Sequence, residues 1–263
     1  MAKLTDPAEE LAKIAAKLNK GSAFAGAKFF AECFDVEISS TEFYTIISTI
    51  LLRCDRVATL IGRSEWEKSQ KASAVAELKG FKKAFDVKSL TTNWNNNPDG
   101  GLPQVRDHGK VIQFWSYEVR KFESYPSLSE EDVAELRVLI TNYLIALREN
   151  DEVEAFVKQA IIDGLSRLEF SLNYLGWLGA GYNLDAFKNV LAQYQFLNEQ
   201  SERRPDGFDP SEALGGLLGI LKSMKEKYDS AKSWADTGSS MFESYKLASA
   251  YLTPLLLTYQ SAQ

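Results

Sequence analysis

Along most of the chain, apolar residues recur every three or four positions, and short polar breaks separate one such stretch from the next. That spacing places the apolar side chains on one face of a helix. It is clearest between Ser129 and Gln200. Ser129 precedes Glu130, Glu131 and Asp132, so a hydroxyl cap and carboxylates at the positive end of the helix dipole open a helix over 130–148. Val133, Leu136, Ile140, Tyr143, Leu144 and Leu147 are expected on its apolar face. Asn150-Asp151 breaks the pattern, and a second helix over 152–174 carries the broad stripe Phe156, Val157, Ala160, Ile161, Leu165, Leu168, Leu172 and Leu175, expected to be deeply packed. Asp163 and Arg167 stand one turn apart there and are expected to pair. The corner Gly176-Trp177-Leu178-Gly179-Ala180-Gly181 permits positive φ angles, and a third helix over 184–200 returns from it.

The N-terminal part reads the same way. Asp6-Pro7-Ala8-Glu9 combines an N-cap, a proline at the first helical position and a glutamate at the third. Leu11, Ile14, Ala15 and Leu18 follow as its stripe. A small-residue helix is expected over 22–34, one from Ser39 and Glu42 to a stop at Gly62, and one from Ser64 and Glu67 to about Phe85. The pattern then fails: Thr91 to Pro103 is dense in asparagine, glycine and proline. Val111–Tyr117 is aromatic enough for a short strand, but without a partner strand a helix to about Phe122 is preferred. Asp209-Pro210-Ser211-Glu212 starts another helix, with Leu214, Leu217, Leu221, Met224 and Tyr228 as its stripe, and a last one begins near Ser239.

These elements predict an all-α fold, an irregular multi-helix bundle with a long loop and at most a minor strand near 111–117. Roughly seven to ten helices fit at usual helix lengths. The expected divisions are a helical subdomain over 1–90, an irregular loop over 91–110, a central hairpin region over 111–200 and a helical pair over 201–263, packed as one globular unit.

Composition narrows the choice of function. With 263 residues the chain can bury a full core, and its net charge of −6 argues against nucleic acid as a partner. Cys33 and Cys54 are the only cysteines, and the N-terminal stretch is charged and amphipathic without a signal-peptide core, so a cytoplasmic protein is expected. His108 is the only histidine, so any histidine-dependent acid–base chemistry must run through it, beside Arg106, Asp107 and Lys110. One histidine and two distant cysteines do not make a zinc set, and phosphate-cradling or dinucleotide-binding glycine patterns are missing. No metal and no cofactor is expected. The run after Lys246 is uncharged, and Gly215 and Gly219 stand in the small-x-x-x-small register of packed membrane helices, but Pro254 and several hydroxyls interrupt it.

The leading expectation is a non-enzymatic interaction or regulatory protein with a protein partner. Trp94, Asn96, Arg106, Asp107, His108, Lys110 and Trp115 are its candidate binding residues, because tryptophans and cations often anchor interfaces. A membrane-acting effector using 211–259 and a hydrolase using Asp107 and His108 are the alternatives.

Overall fold

A computed structural model describes residues 3–203 and 211–229. The described residues divide into two compact units: Thr5–Tyr125 with Gly176–Gly179, and 3–4 with 126–175, 180–203 and 211–229. The strands Lys3–Thr5 (β1) and Tyr125–Ser127 (β2) pair as a two-stranded sheet. The fold is all-α, and this sheet is minor.

In the first unit, α1 (Pro7–Leu18) starts as its sequence requires, with the Asp6 carboxylate accepting the amides of Ala8 and Glu9 at 3.0 Å. Leu11, Ile14 and Leu18 are fully buried. Helices α2 (Gly26–Phe34), α3 (Thr41–Arg63) and α4 (Lys68–Lys82) build the core around an aromatic stack. Phe30 lies parallel to Phe34 and Phe85 at 5.5 and 5.0 Å, and Trp94 stacks on Phe29 at 4.4 Å. A 3-10 turn at Lys83–Phe85 leads to α5 (Val87–Thr91).

Several starts differ from expectation. The cap of α3 is Ser40, whose hydroxyl accepts the Phe43 amide, while Ser39 takes a positive φ of 66°. Ser64 closes α3 by donating to the Ile61 carbonyl, and α4 opens on a Glu67–Gln70 box. Gly62 does not stop α3, which runs through to Arg63.

The asparagine-rich stretch is shorter than predicted, because α6 occupies Gly101–His108. What precedes it is pinned to residues 22–26. The Trp94 amide donates to the Phe24 carbonyl, the Gly26 amide to the Thr92 carbonyl, and the Asn95 side chain accepts the Ser22 amide. The segment expected as a helix or minor strand at 111–122 is a 3-10 turn at Ile112–Trp115 followed by α7 (Ser116–Arg120).

The second unit contains α8 (Glu130–Glu149), α9 (Ala155–Asn173), α10 (Leu175–Arg203) from Ala180 onward, and α11 (Ser211–Asp229). Ser129 caps α8 as expected, in a reciprocal box with Asp132. Asp163 does not meet Arg167; it accepts the Gln159 side-chain amide at 2.7 Å. In the core, the Ser171 hydroxyl donates to the Leu168 carbonyl, the Asn183 amide donates to Ser171, and the Tyr228 hydroxyl donates to Asn183. These groups are fully buried and mutually satisfied, tying α9, α10 and α11 together. Lys227 bridges Asp132 and Glu135 at 2.8 and 2.6 Å, fixing α11 along α8. Among the described residues, no helix is long and apolar enough to cross a membrane. Of the apolar region 211–259, residues 230–259 lie outside the described residues.

Candidate functional site

The seven residues singled out by sequence do not form one site. Trp94 is fully buried, its indole nitrogen donating to the Lys20 carbonyl at 2.9 Å, and Trp115 is 7% exposed. Both are core residues. Asn96 is exposed, and its backbone closes turns with Asn93 and Gly100. Asp107 is exposed within α6 and caps no following helix. His108 turns to α4, where its Nδ1 lies 2.8 Å from the Glu77 carboxylate. Its ring occupies the space that Gly80 leaves open by lacking a side chain. The histidine therefore pairs with Glu77 and not with Asp107.

Arg106 and Lys110 belong to a different feature. A groove of about 150 Å³ runs between α1 and the turn that ends α6. One wall is the face of α1 carrying Ala12, Ala15, Ala16 and Asn19, four residues at helical spacing. The other is Val105, Gly109, Lys110 and Gln113. The depth comes from small side chains. A methyl group on Gly109 would sit 2.7 Å from the Ala15 Cβ and 2.6 Å from the Val105 carbonyl oxygen, so the glycine lets the walls approach. Lys110 and Gln113 are exposed at the rim, and Arg106, one turn before Lys110, is exposed on the same helix end. Phe114 follows Gln113 and is 73% exposed; Tyr117 is 79% exposed.

A second polar cluster in this unit is built of ion pairs. Arg53, 8% exposed, donates to the carbonyls of Trp177 and Leu178 and pairs with Glu10 at 3.2 Å. Arg56 pairs with the buried Glu123, which also accepts the Tyr125 hydroxyl. Ser116 and Arg120 bind the Asp6 carboxylate that caps α1, and Arg120 reaches Glu9 as well. Burial, then the bond to Glu123, push the Tyr125 phenol well above its ordinary range. The bond to Glu123 raises Arg56. Each of these carboxylates is matched by a cation, so the cluster ties together backbone segments distant in sequence. No group of three or more histidine, cysteine or acidic side chains able to hold a metal ion occurs among the described residues.

Comparison with known proteins returns no match. No family model fits the chain, and neither does any curated protein or solved structure. The functional reading therefore rests on the geometry of this chain alone.

Of the groove lining, sequence reasoning singled out Lys110, with Arg106 just outside it, and missed the rest, among them Ala12, Ala16, Asn19, Gly109 and Gln113. The one available signal was the pair Ala12 and Ala16, four apart and off the apolar stripe of α1.

Proposed function

We propose that the protein is a non-enzymatic helical interaction protein whose groove between α1 and the end of α6 receives a side chain of a protein partner. The observation that carries this reading is a preformed recess floored by alanines and one glycine, rimmed by the exposed Lys110 and Gln113. Its volume is below the roughly 300–1,000 Å³ of small-molecule sites and suits a single inserted side chain. Phe114, exposed next to Gln113 in the chain, offers large, low-entropy contact area. Cytoplasmic residence suits this reading, because both cysteines are free thiols.

The test is a photo-activatable benzophenone side chain placed at Gln113, used in the full chain within its native cells. One protein should crosslink reproducibly and be lost when Ala16→Trp fills the groove. A crosslink that survives Ala16→Trp, or none at all, would refute the reading.

A further inference from the structure

The groove is flanked unequally by charge. Arg106 and Lys110, one turn apart, are both exposed, and neither has an ion-pair partner among the described residues. On the α1 side, Lys13 is already neutralised by Glu9 at 2.8 Å. Asp107 forms no ion pair with either cation, and the other rim groups, Asn19 and Gln113, are neutral amides. A positive edge thus stands on a chain whose net charge is −6. The carbonyls ending α6 favour cations nearby, yet both side chains still face solvent. Two cations on an acidic chain are too few to hold a phosphate backbone, whose binding grows with the number of contacts neutralised.

We infer that the groove takes an acidic amphipathic helix, with a small or branched apolar side chain in the recess and carboxylates against Arg106 and Lys110. The inference rests on the docking reading above. Small residues four apart on α1 form a low ridge that lets a second helix come within about 8 Å. Carboxylate–cation pairs at an exposed rim act mainly on partner choice and association rate, so charge selects while the recess anchors.

The experiment is a displayed library of helices of about 16 residues, enough to span α1, with randomised outward positions, selected against the full chain. Winners should be enriched in Asp and Glu, and the double variant Arg106→Glu/Lys110→Glu should weaken them at least about tenfold and select Lys- and Arg-rich helices in their place. Ala16→Trp should abolish binding of both sets. Winners without acidic enrichment, or an enrichment that survives the charge reversal, overturn the acidic partner while leaving the groove standing. Binding unaffected by Ala16→Trp, or no enriched helix at all, overturns the groove itself.

Discussion

At the scale of single residues, Arg53 shows how much of this molecule depends on side chains distant in sequence. Its guanidinium lies between Glu10 and the carbonyls of Trp177 and Leu178, shielded from water. Arg53→Met would remove the cation paired with the buried Glu10 carboxylate and the bonds to those carbonyls, at a cost of about 3–5 kcal/mol, read as a lower urea midpoint. Adding Glu10→Gln should recover part of that loss, because the double change removes the uncompensated charge; strict additivity would refute the coupling. Gly179 belongs to the same device. At φ 82° a Cβ is strained, and it would also strike Glu10 and Arg53, so Gly179→Ala should destabilise as well. Little of this was legible. The acid nearest Arg53 in sequence, Asp55, does not serve it, because residues two apart on a helix do not face each other, and Asp55 binds Lys82 at 2.8 Å. Trp94 was a candidate interface anchor; its partners Phe29 and Phe30 come from a helix distant in sequence, a fact no local pattern contains. Glycine in the corner was legible as a need for positive φ, although which glycine was not.

At the scale of elements, the existence of helices was legible and their ends were less so, because ends depend on which neighbouring hydroxyl or carboxylate wins the cap. Ser39 and Ser40 are adjacent candidates, and the second won. The reading of Gly215 and Gly219 as a packing pair also shifts. It is Gly216 whose missing side chain makes room, for the Tyr143 ring of α8, whose hydroxyl reaches the Ala213 carbonyl. Gly219 has no atom within 4 Å of where a Cβ would stand. The two positions should therefore respond in opposite directions. Gly219→Ala should stabilise by about 0.5–1 kcal/mol through helix propensity alone. Gly216→Ala gains the same propensity but drives a methyl into the Tyr143 ring, and the net effect should be destabilising. Thermal melts of the two variants decide it; a stabilised Gly216→Ala would mean α11 does not rest on α8 as described. The cap of α8 adds a third check, since Ser129→Ala should cost about 1 kcal/mol.

At the scale of the whole molecule, both units hide groups that ionise only at alkaline pH, and that sets where the protein fails. In the first unit, burial pushes the Cys54 thiol up to about 12. Burial first, and then Glu123, raise the Tyr125 phenol. In the second, burial raises Tyr228, the donor to Asn183. For each, the folded value lies above the unfolded one, so the neutral group contributes its full stability below the unfolded value of about 8.5 for cysteine and about 10 for tyrosine. Above those values the unfolded chain releases protons that the folded chain retains, and stability falls as pH rises toward the folded values. Urea midpoints should hold near about pH 8 and drop steeply by about pH 10.5, where Cys54 alone accounts for roughly 3 kcal/mol. Cys54→Ala should flatten the fall measured in the first unit, at the cost of a lower midpoint at neutral pH from the lost buried sulfur. The tryptophans supply that measurement once Trp234→Phe removes the one outside the described residues, since Trp66, Trp94, Trp115 and Trp177 all belong to that unit. An alkaline slope unchanged by Cys54→Ala would show that the thiol is not sealed in the core, and the packing of α3 against its neighbours would need to be redrawn.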